Sequence, residues 1–336
     1  IETIDHHDAH AWSARLGGAS EPALIVTWDA YGEGVALTAR HWATPNRPTC
    51  RLGPQVGLAR LYGAVTLALG FSEGDEGKVM GLAAYGDSRV LGERLGALFT
   101  RQGGQIRLKK RLSRELLDDL LRGVKREDAA AALQSVTELL ARDWITNQVV
   151  QLGSPCRLLL AGGLFANIRL NQTLATIPGV SSVWVFPNMG DGGLSAGAAA
   201  CVWEKHTQKP VRRLKNAFLG PEPNSSAITA AAKRAGGRRI EDAERAIAGH
   251  LRAGRVVCRY TGRDEFGPRA LGHRSVLFSG QHPELSARVN EALGRENFMP
   301  FGPAIAEDAI SSLLDTPLTS ADLGYMTVAV DGTTKL

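Results

Sequence analysis

Two histidines, His6 and His10, stand four positions apart. On a helix that spacing projects both imidazoles from one face, within reach of a single ion. The same spacing is frequent among exposed or capping histidines, so the pair gains meaning from its company. Two acids supply it: Asp29 and Asp191 each sit in a glycine-rich turn at the end of an apolar run. Aspartate in such turns often does no more than hydrogen-bond its own backbone. Taken together, the four offer mixed imidazole and carboxylate ligation, which suits iron, zinc or manganese better than calcium or magnesium.

Two glycine turns add sites where a backbone can approach a ligand. Gly190-Asp191-Gly192-Gly193 opens a helix whose amides and positive dipole end favour a phosphate or a phosphate-bound metal. Gly162-Gly163-Leu164-Phe165-Ala166-Asn167 is the second, with Asn167 able to hydrogen-bond a ribose or a base. Neither is specific alone, because glycine turns also occur wherever packing is tight. The densest signal is Gly262 to Ser275, with Arg263, Arg269 and Arg274 inside twelve positions among glycines and Pro268. This stretch makes a poor helix and a poor strand but suits a rigid cup for phosphate oxygens; a salt-bridged surface loop is the plainer alternative. Arg295 and Phe298-Met299-Pro300-Phe301-Gly302-Pro303 add a further cation and an apolar wall.

The elements that must place these residues follow from the apolar pattern. Residues 24–28 and 35–38 predict two strands joined by the turn 29–34, with Asp29 at the bend. Residues 112–152 predict helix, with Ala129, Leu133, Val136, Leu140 and Trp144 on one buried face. Two strand, glycine-turn and helix units come next: strand 157–161 with a helix to Leu174, then strand 182–186 with a helix over 194–205. That succession predicts an α/β domain whose ligands sit at helix amino termini. A polar, basic stretch from His206 to Lys215 breaks the pattern and predicts a linker. Beyond it, helices near 227–235 and 242–253 and a strand over 256–260 lead into the arginine loop.

At 336 residues the chain is long enough for about two domains. Lysine and arginine number 39 against 34 acids, a net charge of +5 too mild and too scattered to predict a nucleic-acid partner. The 44% hydrophobic and 22% charged fractions exclude a disordered or fibrous chain. No apolar run reaches the ~20 residues of a membrane span and no signal segment opens the chain, so the expectation is a cytoplasmic protein with no membrane partner. Cys50, Cys156, Cys201 and Cys258 form no CxxC pair, which argues against a zinc ribbon or a disulfide framework. The chain opens on Ile1 and reads as a fragment.

In order along the chain, these motifs resemble the O-carbamoyltransferase family of the nodulation-protein-U type, which includes antibiotic-tailoring enzymes. The match rests on His6-His7-Asp8-Ala9-His10-Ala11, Leu61-Tyr62-Gly63-Ala64-Val65-Thr66, Glu76 to Gly86, the two glycine turns, Phe266 to Ser275, and Pro300-Phe301-Gly302-Pro303. The resemblance implies an α/β architecture: an actin/hexokinase-like domain at 1–206, a linker at 207–216 and a YrdC-like domain at 217–336. It implies that carbamoyl phosphate and ATP, with Mg(2+), give carbamoyl adenylate and pyrophosphate in the second domain. The first domain then moves the carbamoyl group to a hydroxyl of a small-molecule acceptor, a sugar or natural product. The family's ligands for Fe(2+) fall on His6, His10, Asp29 and Asp191. His7 or Asp8 is placed as general base, and the sequence does not choose between them. Gly163 and Asn167 would hold the adenosine, and Lys78 either touches phosphate or supports the metal loop. Arg263, Arg269, Arg274 and Arg295 would bind carbamoyl phosphate and the ATP phosphates, Arg269 as a catalytic cation.

The chain also departs from the family. Asp29-Ala30-Tyr31-Gly32-Glu33 stands where Asp-Gly-x-Gly-Glu is usual, and His273 replaces an asparagine. Leu293-Gly294 precede Arg295-Glu296 where the family often has a lysine. The family's upstream strands and phosphate loop do not precede His6. Two other readings stand beside this one. A related hydrogenase-maturation carbamoyltransferase would explain Asp191-Gly192-Gly193-Leu194-Ser195 but fits Glu265 to Gly272 less well. A nucleotide-binding module without turnover would bind ATP and release no pyrophosphate.

Overall fold

The computed structural model describes residues 1–18, 22–102, 105–222, 224–316 and 323–333. They form two compact units, one of residues 1–214 with 303–336 and one of residues 215–302. The sequence predicts a second domain over 217–336, whereas the described residues after Gly302 group with the larger unit. Its anchors are far apart in sequence: the Asn171 amide donates to the Thr327 carbonyl at 2.7 Å, and the Ala329 N–H donates to Ile168 O at 3.0 Å. Tyr325 also sets its ring edge-on to Trp184.

The larger unit opens with helix α1 (His6–Arg15) and strands β1 (Ala23–Gly32), β2 (Val35–His41) and β3 (Cys50–Leu52). Helices α2 (Leu58–Ala68), α3 (Glu76–Leu82) and α4 (Gly92–Gly96) lead to the antiparallel pair β4 (Phe99–Gln102) and β5 (Gln105–Leu108). Next come α5 (Arg114–Leu121) and the long α6 (Arg126–Leu152). The helical stretch expected over 112–152 is thus divided, at Gly123, whose φ of +74° ends the first helix. All five residues of the expected α6 face are buried. The two strand-to-helix units follow as β6 (Cys156–Ala161) with α7 (Ile168–Ala175) and β7 (Val180–Val185) with α8 (Leu194–Thr207).

A five-stranded sheet runs in the order β3-β2-β1-β6-β7, with β1 antiparallel to β2 and parallel to β6, and β6 parallel to β7. Helices cover both faces of β1, and Leu24, Ile25, Val26 and Trp28 are all buried, as a continuous apolar run in a covered sheet requires. Side chains alternate across it. Trp28 meets Trp144 of α6 edge-on at 5.7 Å, while Thr27 and Asp29 turn to the opposite face and reach α1. The turn to β2 is shorter than expected: β1 continues through Asp29 to Gly32, and Glu33-Gly34 close the hairpin with φ of +49° and +83°. Such a two-residue left-handed turn suits the strand twist. The regular register breaks between Trp28 and Gly32, which frees Asp29 from the ladder.

Parallel pairing brings the carboxyl ends of β1, β6 and β7 to one edge of the sheet. Asp29, Gly162-Gly163 and the turn before Asp191 therefore lie together, as ligand-binding loops of α/β sheets do. Helix α1 begins where Asp5 accepts the amides of His7 and Asp8. It packs on α8 so closely that a Cβ at Gly197 would overlap the Ala9 carbonyl oxygen.

The smaller unit holds α9 (Ser225–Arg234), α10 (Ala243–Arg252), the antiparallel strands β8 (Val257–Tyr260) and β9 (Arg274–Leu277), and α11 (Glu284–Ala292). Its buried apolar side chains among the described residues are few, Ala217, Leu285 and Val289. Short α12 (Ile310–Leu313), β10 (Leu314–Asp315) and β11 (Asp331–Gly332) belong to the returning segment. No helix among the described residues is long and apolar enough to cross a membrane.

Candidate functional site

The four residues proposed as ligands from spacing converge. One ligand atom from each of His6, His10, Asp29 and Asp191 lies within 4.8 Å of the others. His10 Nε2 faces Asp29 Oδ2 at 3.1 Å and Asp191 Oδ1 at 3.6 Å; His6 Nε2 lies 3.8 Å and 3.7 Å from the same two oxygens. Ligands ~2.1 Å from an ion stand ~3.0–3.4 Å apart in octahedral or tetrahedral arrangement, so small side-chain movements would close the cage. His6 Nε2 is buried with no hydrogen-bond partner, an arrangement that costs free energy unless a group occupies the space it faces. The donor set fits a transition metal.

The fold sets each ligand. α1 carries both histidines on one face, and Gly32 lies flat on the His6 ring, where a Cβ would overlap it. This close approach explains the glycine at that position. Burial alone would raise the Asp29 carboxyl. Hydrogen bonds from His10 and from the amides of Ala30 and Gly163 outweigh it and hold the group at about 2, ionised and ready to ligate. Asp191 is exposed in the turn that opens α8.

The two candidate bases have other tasks here. His7 is fully buried; its Nε2 lies 3.1 Å from the Val35 carbonyl, which can only accept, so Nε2 carries the proton. Nδ1 then accepts from the Thr27 hydroxyl at 2.7 Å, and burial pushes the imidazole down to about 4. A neutral ring with both nitrogens engaged joins α1 to the sheet and has no lone pair to offer a substrate. Asp8 pairs with the fully buried Arg40 guanidinium, which also donates to the Pro45 carbonyl. It neutralises a charge that the core could not otherwise hold.

Asn167 is buried rather than open to a ribose. Its Oδ1 accepts from the Leu170 amide, capping α7, and its amide exchanges hydrogen bonds with Gln134. Gly163 gives its N–H to Asp29. Lys78 pairs with Asp75 three residues earlier.

In the smaller unit the arginines mostly tie loops together. Arg274 donates to the carbonyls of Thr261, Gly262 and His273, pairs with Asp264 and lies over the Tyr260 ring at 3.5 Å. Arg295 donates to Asn290 Oδ1 and Pro300 O and covers Phe301. Arg263 donates to Gly220 O. Arg269 is half-buried, and burial lowers its pKa. The residue that sequence reasoning missed is Glu265, whose Oε1 accepts the amides of Leu271, His273 and Arg274. Burial opposes the charge, yet these bonds hold the carboxyl at about 2. Its only signal was a second acid beside Asp264 in a glycine-rich loop. His273 stacks on Phe218, ring centroids 3.7 Å apart.

Comparison with known proteins gives two family matches, Carbamoyltransferase N-terminus over residues 1–201 and Carbamoyltransferase C-terminus over residues 248–335. The nodulation protein NolNO of Sinorhizobium fredii is 31% identical over 98% of this chain and 51% of its own length. Nodulation protein NolO of Bradyrhizobium diazoefficiens is 29% identical over 97% of this chain and 63% of its own. Nodulation protein U of Sinorhizobium fredii is 33% identical over 54% of this chain and 32% of its own. The chain thus spans between half and two thirds of the length of the first two relatives.

Proposed function

Matched in both its parts, this chain belongs to the carbamoyltransferase family, and from that premise we propose that the protein carries a carbamoyl group from carbamoyl phosphate to a hydroxyl of a sugar or natural-product acceptor in two steps. The convergence of His6, His10, Asp29 and Asp191 carries the proposal, because a family reading and a spacing argument lead to one cage.

In the first step a carbamate oxygen bonds to the α-phosphorus of ATP, brought with Mg(2+), and pyrophosphate leaves. Atom balance requires that carbamoyl phosphate also lose its own phosphate to water. Arg263, Arg269, Arg274 and Arg295 offset the phosphate charge, for which Arg263, Arg274 and Arg295 must exchange backbone carbonyls for phosphate oxygens. Glu265 keeps the loop shaped for them. The YrdC-like reading of this unit rests on the resemblance.

In the second step the acceptor oxygen bonds to the carbamoyl carbon, the bond to AMP breaks, and AMP leaves with the electron pair. His6, His10, Asp29 and Asp191 hold the ion, Fe(2+) in this reading, which when bound polarises the carbamoyl carbonyl and offsets charge on the departing phosphate. The turn that opens α8, whose Gly193 amide is already taken by the Gly190 carbonyl, would offer the phosphate its remaining amides and the positive end of the helix. With His7 and Asp8 engaged elsewhere, the acceptor proton passes to solvent or to the leaving phosphate. The sheet order, in which β2 alone runs antiparallel to β1, supports the actin/hexokinase-like reading of the larger unit.

The test is ATP–pyrophosphate exchange on the full-length protein with and without carbamoyl phosphate, together with metal analysis. Exchange that needs carbamoyl phosphate, with about one iron per chain, is the expected result. Bound ATP without exchange would overturn the adenylating step and leave a nucleotide-binding module.

A further inference from the structure

We propose that Gln134, on α6, is a positioning residue for the cage, acting through the Gly162–Asn167 turn. This inference rests on the metal reading above only in its last link, from the turn to the ion.

The turn touches both acidic ligands or their loops. The Gly163 amide donates to Asp29 Oδ2 at 3.2 Å, and the Gly162 amide donates to the carbonyl of Met189 at 2.7 Å, two residues before Asp191. Gly162 has φ +109° and lies against the Trp28 backbone, so its conformation is one a side chain would forbid. A turn in this strained region holds its shape only if its surroundings fix it.

Gln134 supplies that fixing from outside. Its Nε2 donates to Asn167 Oδ1 at 3.0 Å and its Oε1 accepts from Asn167 Nδ2 at 2.8 Å, a paired amide contact in the core. Tyr62 donates its hydroxyl to the same Oε1 at 2.9 Å, and Gln134 Nε2 also reaches Glu138, which accepts from Thr173 of α7. The network therefore joins α2, α6 and α7 to the last residue of the turn. Such a buried network is rigid while every member is paired and costly when one is lost. A general core role would spread its loss over the whole unit, whereas this arrangement directs it to the turn and to what the two glycine amides hold.

Gln134→Met keeps the side chain's length and removes its hydrogen bonds. Hydrogen exchange read by mass spectrometry should show the peptides around 160–167 and 186–193 exchanging ~10-fold faster, with the β2–β3 region unchanged. Titration with Fe(2+) or Co(2+) against a chelator should show ~10–100-fold weaker binding, the size of effect that losing an outer hydrogen bond to a metal site brings. Gln151→Met, on the exposed side of the same helix, should change neither. Unchanged loop exchange in a folded Gln134→Met protein would overturn the proposal, as would exchange raised evenly across the larger unit. Should that variant fail to fold, Tyr62→Phe decides: it removes one donor to Gln134, and about fivefold faster exchange confined to the same peptides is expected. Wild-type protein that binds no metal would defeat the ion reading alone, because loop exchange still tests Gln134.

Discussion

Residues at this site are defined by what already holds them. Asp29 takes three hydrogen bonds as an anion, so Asp29→Asn should remove a ligand and the charge together. If the proposed metal site is right, the expected outcome is loss of nearly all bound metal by metal analysis, with carbamoyl-phosphate-dependent pyrophosphate exchange retained. Asp8 contrasts with it. As the partner of a buried guanidinium, Asp8→Asn should lower the melting temperature by several degrees while leaving metal content at the wild-type level; a folded variant that loses only the transfer step would return Asp8 to catalysis. Glu265 carries a pH dependence. Its carboxyl is held at about 2, below the ~4.3 of a free glutamate, so the stabilisation is present above pH ~4.3 and is lost as pH falls towards 2. Amide exchange at 271–274 should be faster in Glu265→Gln than in wild type at pH 7, and the two should converge near pH 2.

Among the elements, the crossing of α1 on α8 sets where both histidines stand. Gly197 lets the helices approach until backbone meets backbone. Alanine in a helix interior usually gains ~1 kcal/mol over glycine, but here its Cβ would overlap the Ala9 carbonyl, a clash worth ~2 kcal/mol or more. Packing wins, and Gly197→Ala should unfold at lower denaturant concentration than wild type and bind metal more weakly. The opposite result, a more stable protein, would mean the helices can separate freely. Strand β1 does comparable work by alternation, sending Trp28 to α6 and Asp29 to α1 with no intervening residue.

At the scale of the whole molecule, the chain leaves the larger unit at 214 and returns to it at 303. A chain ending at Gly302 would strip Tyr325 from Trp184 and leave the buried Asn171 amide without the Thr327 carbonyl. Its larger unit should melt at lower temperature even though every proposed metal ligand remains. The proposed function assigns one half-reaction to each unit, so Arg269→Ala should abolish pyrophosphate exchange, and His10→Ala should spare it and block transfer. If both substitutions strike the same half-reaction, the assignment of one step to each unit is wrong.

Much of this was legible in the sequence where the signal was local. The i, i+4 histidines, the acids after apolar strands, the α6 face from Ala129 to Trp144 and the two strand-to-helix units all follow from periodicity and turn chemistry, which act over a few residues. The convergence of His6 with Asp191 does not, because only parallel pairing of β1, β6 and β7 brings those ends to one edge. Tertiary structure also decided which polar residues were spoken for. His7, Asp8 and Asn167 have the right chemistry for a substrate, yet Thr27, Val35, Arg40 and Gln134 take their hydrogen bonds, and those partners lie 20 to 33 residues away. Local sequence sets what a side chain can donate or accept; the packed core, which tolerates no unpaired polar group cheaply, decides which partner receives it.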